Sequence, residues 1–329
     1  MSETLDAPIA SSATPLMKAI RITAFGGIQR LEYAAIARPR PGPGQVLVRV
    51  AAAGVGPWDA WVREGKSALP QPLPLVPGAD ISGVVEAVGP DVRGFTPGMA
   101  VFGATNARFT GGYGEYAVAE AGMLAQKPAR LSHVQAAALP VVATTARQML
   151  FDYARIVAGQ RVLVLGGGGN VGAHAVQLAN AVGAEVIATA RPAQAERVRG
   201  LGAGRILDPA APWPADLPGT VDAVIDTIGP AAMAAAFAVV RPGGCMISAV
   251  AEPDAALAAR HDVRAAFILV SVTTAGLVLL GELAEVCKLR APVGEVLKLA
   301  QAARAHEMLA GAPHRPGKIV LLVDQRQHA

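Results

Sequence analysis

The chain is 329 residues long, enough for about two domains at ~150 residues each. Hydrophobic residues make up 52% and charged residues 16%, which excludes an intrinsically disordered chain, and with 4% aromatics the core is built mainly from Ala, Val and Leu. The 29 Lys and Arg against 25 Asp and Glu give +4 without a basic block, so the pI of 9.3 lacks the clustered phosphate contacts of a nucleic-acid binder.

Residues 1–16 carry Glu3 and Asp6, lack a basic stretch leading into an apolar one, and read as a flexible extension rather than a secretory signal. From Met17, short β-branched runs at 18–24, 46–53, 81–88 and 99–102 are punctuated by Gly and Pro at 39–44, 70–78 and 95–98. Strands at this spacing predict a compact, barrel-like β domain. The texture changes at Ser132, which forms with Gln135 the Ser-x-x-Gln pattern of a capping box. Strand and helix then alternate: strand 161–165, helix 170–182, strand 185–189, helix 194–201, and strands at 221–226, 245–250 and 265–272. Such alternation predicts a parallel sheet covered on both faces.

Residues 265–281 run without a charge at the edge of a membrane-spanning length. Ser271, Thr273, Thr274 and Gly276 interrupt the run, and Glu282 and Glu285 continue its second half. The expectation is a buried strand, a turn and a helix in a soluble, cytoplasmic protein. Helices at 276–286 and 300–310 and a strand at 318–323 complete the pattern. Cys245 and Cys287 are too few for a disulfide framework or a Cys-rich zinc site.

The clearest motif follows the strand 162–165: Gly167-x-Gly169-x-x-Gly172, then a helix with Val171, Ala175, Leu178 and Val182 on one apolar face. Glycines let the backbone turn tightly and approach a pyrophosphate, and the helix N-terminus offers free N–H groups to it. With strand, helix and second strand all in place, the motif predicts a dinucleotide held by Gly167, Gly169, Asn170, Val171 and Gly172. An NAD unit carries Asp or Glu about 20 residues on, for the ribose hydroxyls. This chain reads Thr189-Ala190-Arg191 instead. No carboxylate repels a 2′-phosphate there, and Arg191 can form charge-assisted bonds to one, which favours NADPH. A solvated loop charge is the alternative for Arg191. His174 and Gln177, opposite the apolar stripe, read as solvated helix surface.

These residues resemble the medium-chain dehydrogenase/reductase superfamily, and within it the zinc-free quinone oxidoreductase (zeta-crystallin-like) branch. The resemblance rests on the glycine loop and three segments: Ala52 to Gly65, Gly78 to Val92 with its Gly78-x4-Gly83-x-Val85-x3-Gly89-x2-Val92 spacing, and Ala305 to Val323. It implies an α/β chain with a GroES-like β-barrel catalytic domain over 17–131 and 274–329. A Rossmann doubly wound parallel-sheet NADPH-binding domain would occupy 132–273. Zinc-dependent members place a cysteine at the position of Gly56 and a His-Glu pair at Ala79-Asp80, so no metal is expected. Many quinone oxidoreductases carry Asn at Gly56 and Tyr at Trp61, and this chain departs from both.

The family pattern further sets Thr145 beside the nicotinamide and Val250 and Ala251 against its carboxamide. Arg315 and Lys318 would reach the cofactor phosphates, or else form a solvated turn. Tyr113, with Tyr116, is the nearest proton-donor candidate, and Thr145 is the other catalytic candidate. Trp58 and Trp61 either line an aromatic substrate pocket or pack at a domain junction. The strand from Ala265 to Val272 would pair across a homodimer axis. The expected function is NADPH-dependent, zinc-independent hydride transfer to a quinone or similar electron-poor acceptor. The alternatives are reduction of an enone or enoyl C=C bond, and a non-catalytic NADPH-sensing or RNA-binding role.

Overall fold

The computed structural model describes residues 15–213 and 215–323. The expected extension therefore lies outside the described residues up to position 14, and Leu16 already opens the first strand. Strand β1 (Leu16–Arg21) pairs with β2 (Glu32–Ala37) in an antiparallel ribbon. The spine of the β region is β3 (Gln45–Val55), whose residues are buried along almost their whole length, hence its continuous apolar run instead of an alternating one. Helix α1 (Pro57–Glu64), with Pro57 in its first turn, leads to β4 (Asp80–Val88), β5 (Ala100–Ala104), β6 (Tyr116–Glu120) and β7 (Leu124–Gln126). The Ser132 capping box is present: its Oγ accepts from Gln135 N at 3.2 Å, and Gln135 Oε1 accepts from Ser132 N at 3.0 Å. It opens the short α2 (His133–Ala136), and α3 (Pro140–Arg147) follows.

The alternating half contains β8 (Arg161–Leu165), α4 (Asn170–Ala181), β9 (Glu185–Thr189), α5 (Pro192–Gly200), β10 (Arg205–Leu207), β11 (Val221–Asp226), α6 (Pro230–Ala236), β12 (Val240–Ser248), α7 (Ala255–Arg260) and β13 (Arg264–Phe267). These strands form one parallel sheet in the order β10-β9-β8-β11-β12-β13. The order reverses between β8 and β11, the switch point at which doubly wound sheets bind ligands. After α8 (Thr274–Glu285), β14 (Val293–Lys298), α9 (Ala302–Leu309) and β15 (Lys318–Leu322), the chain has returned to the first sheet, where β15 pairs with β3 and β14.

One hydrophobic cluster runs from Val164, Ile225 and Ile247 of the parallel sheet, through α3 and α4, to Phe102 and Ala125 of the β region. This continuity corrects the reading of His174 and Gln177 as solvated surface. Helix α3 packs against α4, and the Arg290 backbone exchanges two hydrogen bonds with the Gln177 amide, so His174 is 1% and Gln177 6% exposed. Residues 265–272 also differ from expectation. The strand is β13, ending at Phe267, and as a sheet edge with one neighbour it is exposed to half-buried rather than buried. Among the described residues no helix is long and apolar enough to cross a membrane.

Candidate dinucleotide site and domain junction

At the end of β8 the chain reverses at Gly166, whose φ of +82° lies in the left-handed region. Its N–H donates to Thr189 Oγ1 at 2.9 Å, and its carbonyl accepts from Gly169 N at 2.9 Å. The turn glycine is thus Gly166, one residue before the position expected from the sequence. Gly167 is buried, and a Cβ there would lie 2.9 Å from that of Ala188, so its role is packing on β9. A run of four glycines hides this distinction, because any of them tolerates the turn. At Gly172 a Cβ would overlap the Gly166 carbonyl oxygen, so only glycine lets α4 approach the turn. Ala173 N bonds back to Gly169 O at 2.9 Å, which leaves the N–H groups of Asn170, Val171 and Gly172 as the free donors of the helix start.

The turn opens onto a cavity of about 870 Å³ lined by Gly169, Thr189 and Arg191, which the sequence reading named, and by Gln194, Asp208, Trp213 and Ile228, which it did not. Arg191 is exposed at the N-cap of α5 and makes no ion pair or side-chain hydrogen bond among the described residues. Gln194 lies over Gly168, and Arg197 donates to the Gly168 carbonyl, so α5 grips the glycine turn. Asp208 follows β10, the third strand of the unit, and its Oδ1 accepts from Ala210 N at 3.0 Å. The dipeptide Asp208-Pro209, closing the apolar pair Ile206-Leu207, was the available signal. Free N–H groups, a cavity with mostly apolar walls and, among the described residues, an unpaired guanidinium fit a dinucleotide carrying phosphates.

Val250 and Ala251 sit on the turn after β12, where both N–H groups donate to Ser248 Oγ at 3.1 and 3.2 Å. The Thr145 hydroxyl is committed inside its own helix, donating to Val141 O at 2.7 Å. Tyr113 is fully buried, its ring packed on Gly78 and its hydroxyl donating to Asp59 Oδ2 at 2.8 Å. Burial and the neighbouring Asp59 push the phenol well above its usual range, so it is no proton donor to a cleft. Asp59 also accepts from Gly56 N at 2.8 Å, and burial raises its carboxyl to about 7 against the lowering pull of that N–H, Lys318 and Tyr113.

Lys318 corrects another expectation. Its ammonium is sealed inside the protein, paired with Asp80 Oδ2 at 2.8 Å and lying 4.4 Å from the centre of the Trp58 ring. Asp80 Oδ1 accepts from Val141 N at 2.9 Å, so the pair ties β4, β15 and α3 together and is not aimed at phosphates. Arg315 is exposed and ion-paired with Glu295 at 3.2 Å, away from the cavity lining. Trp58 packs edge-on against Phe109, whereas Trp61, half exposed on the same helix, does not share that contact.

The donor set at this junction does not fit a zinc ion. A side chain on Gly56 would collide with the Trp58 indole, Ala79 offers no ligand, and both oxygens of Asp80 are taken. Among the described residues no group of three His, Cys, Asp or Glu side chains is placed to hold a metal.

Residues 42–129 match the family described as alcohol dehydrogenase GroES-like domain, and residues 201–321 match zinc-binding dehydrogenase. Human quinone oxidoreductase is 38% identical over 184 residues, covering 56% of this chain and 55% of the human protein. The Arabidopsis thaliana NADPH-dependent alkenal/one oxidoreductase, chloroplastic, is 38% identical over 223 residues, 65% of this chain and 58% of that one. The matched stretch thus spans little more than half the length of these relatives. The solved structure of the quinone oxidoreductase from Coxiella burnetii superposes with a TM-score of 0.85 at 31% identity, covering 94% of this chain and all of that one. The chain belongs to the medium-chain dehydrogenase/reductase superfamily, with a GroES-like β region joined to a Rossmann-type parallel sheet.

Proposed function

We propose that this member of the superfamily is an NADPH-dependent, zinc-independent oxidoreductase that reduces a quinone or similar electron-poor acceptor. The observation that carries the reading is the cavity at the glycine turn, with unpaired Arg191 at its rim and no carboxylate at the end of β9. The free N–H groups at the start of α4 bind the pyrophosphate, and Arg191 binds the 2′-phosphate through charge-assisted hydrogen bonds. NADPH, when bound, supplies a hydride. Ile228 and Val250, exposed at the ends of β11 and β12, give the cleft an apolar wall that excludes water from the reacting face.

The junction side chains favour a quinone over an isolated enone. The two proton-donor candidates, Thr145 and Tyr113, are both committed to internal partners. A quinone delocalises the developing oxyanion over its ring and needs little acid assistance, whereas an enone oxygen needs a donor aimed at it. The exposed edge of β13 and the 71% exposed Leu269 beyond it support a homodimer formed along that edge.

Asp208 favours a second reading for the nucleotide, since a carboxylate in the same cavity can accept from the ribose hydroxyls of NADH. Steady-state kinetics with a naphthoquinone separate the two. Under the NADPH reading, Arg191→Ala raises KM for NADPH about 10- to 100-fold, the worth of one or two charge-assisted bonds, and leaves KM for NADH unchanged. If Asp208→Asn impairs NADH use while Arg191→Ala is silent with NADPH, the cofactor is NADH. EDTA leaves the rate unchanged on the zinc-independent reading.

A further inference from the structure

A second cavity, of about 400 Å³, lies at the far end of α4 and shares no lining residue with the one at the glycine turn. Helix α4 is 12 residues long, so its two ends stand about 18 Å apart. The walls come from three chain reversals: the end of α4 at Asn180, the end of α5 at Arg199 to Gly202, and the segment after α8 from Cys287 to Arg290. The last is held by the buried Gln177 amide, which donates to Arg290 O at 3.2 Å and accepts from Arg290 N at 2.8 Å. The backbone around the cavity is therefore set by the fold.

Three cations converge on it, Arg199, Lys288 and Arg290, and no carboxylate lines it. None of the three makes an ion pair or side-chain hydrogen bond among the described residues. This sets them apart from Arg205, Arg241 and Arg315, each of which holds a carboxylate within 3.2 Å. A role as caps for the three helix ends would put such side chains on the terminal carbonyls. Those carbonyls are taken by backbone N–H groups instead: Asn180 O by Gly183 N at 3.0 Å, Arg199 O by Gly202 N at 2.9 Å and Ala284 O by Cys287 N at 3.1 Å. An anion among the three cations relieves their mutual repulsion. The Asn180 amide, lying against Gly202, adds a neutral donor and acceptor at the rim.

We propose that this cavity binds a small polyanion, a bisphosphate or polyphosphate, separately from the dinucleotide. Two guanidinium groups offer the paired N–H donors that match phosphate oxygens, and the Lys288 ammonium adds a third charge. No aromatic side chain lines the cavity, in contrast to Trp213 at the glycine turn, so a nucleotide base has nothing to stack on. The ligand is a phosphorylated small molecule rather than a second nucleotide. This inference does not depend on the identity of the cofactor or of the electron acceptor.

Cys287 supplies a native reporter. It is exposed in the lining, whereas Cys245, the chain's other cysteine, is 2% exposed. The probe is inorganic pyrophosphate, added to the full chain with NADPH at saturation so that the glycine turn is filled. Pyrophosphate should slow N-ethylmaleimide labelling of Cys287 along a saturation curve that coincides with calorimetric binding, and potassium chloride at the same ionic strength should not. Arg199→Gln and Arg290→Gln should each weaken pyrophosphate about tenfold, the worth of one charge-assisted bond, and shift the protection curve by the same factor. Both change exposed side chains, and an unaltered circular dichroism spectrum confirms that the variants are folded. Absence of saturable protection, equal protection by potassium chloride, or wild-type pyrophosphate affinity in both folded variants overturns the proposal. If NADPH does not bind, the dinucleotide reading fails, but the labelling still reads this cavity, because only pyrophosphate held by Arg199 and Arg290 shields Cys287.

Discussion

Lys318→Met puts a near-isosteric apolar side chain in place of the buried ammonium. Lys318 and Asp80 are 1% and 0% exposed, so no solvent screening discounts their interaction. Without Lys318, Asp80 keeps only the Val141 N–H. Breaking a buried pair from one side costs about 3–5 kcal/mol, because the remaining charge stays uncompensated. The stranded group limits that cost by changing its protonation. Burial already pushes the Asp80 carboxyl up and Lys318 holds it down, so in Lys318→Met it rises further and takes up a proton. A folded-state pKa above the unfolded value makes stability fall as pH rises, so the penalty is larger at the higher of two pH values. Asp80→Asn strands the ammonium instead, beside the Trp58 ring and without its carboxylate, and costs a comparable amount. The double variant recovers most of the loss. Urea unfolding followed by tryptophan fluorescence at the two pH values reads all three. Single variants within about 1 kcal/mol of wild type, or a Lys318→Met penalty that shrinks as pH rises, would refute the reasoning.

Three further outcomes follow from other sites. Gly172→Ala should weaken NADPH about 10- to 100-fold, since its Cβ overlaps the Gly166 carbonyl, whereas Gly168→Ala, which meets only the flexible end of Gln194, should stay within a few-fold, both by calorimetric titration. Asp59, raised by burial from 3.8 to about 7, contributes stability that is full below 3.8 and is lost as pH rises through about 7. Asp59→Asn should flatten that slope in urea unfolding curves, because an amide oxygen still accepts from Gly56 N. His174 donates from Nδ1 to Asn170 O at 2.7 Å, and burial holds it neutral with a pKa near about 4. His174→Lys should therefore cost about 3 kcal/mol or more in the same assay, against about 0.5 on a solvated face.

The places where sequence and structure part share a cause. The glycine loop, its flanking strands at 161–165 and 185–189 and the strand at 221–226 were readable because continuous apolar runs rich in Val and Ile, and the glycines beside them, mark them locally although their partners lie far along the chain. The strands β2 (EYAAIA), β6 (YAVAE) and β7 (LAQ) escaped notice because they are alanine-rich and hold at most one β-branched residue each, so no local run marks them. Gln194, Trp213 and Asp208 escaped for a related reason. They line one cavity with the glycine turn only once α5 and β10 pack beside it, and of the three only Asp208, before Pro209, carries a local signal.

By itself the sequence determined the two-part α/β plan, the position of the glycine turn and the missing carboxylate after β9, all written in local periodicity and in residues that only certain backbones tolerate. Tertiary structure alone decided the fate of the charged and polar side chains. Lys318 pairs with a carboxylate 238 positions away, Tyr113 seals Asp59 from 54 positions away, and His174 is buried because α3 happens to cover its face. A side chain's charge and reach are local properties, but whether water or a partner meets it depends on which surfaces close over it, and that is fixed only when distant segments pack.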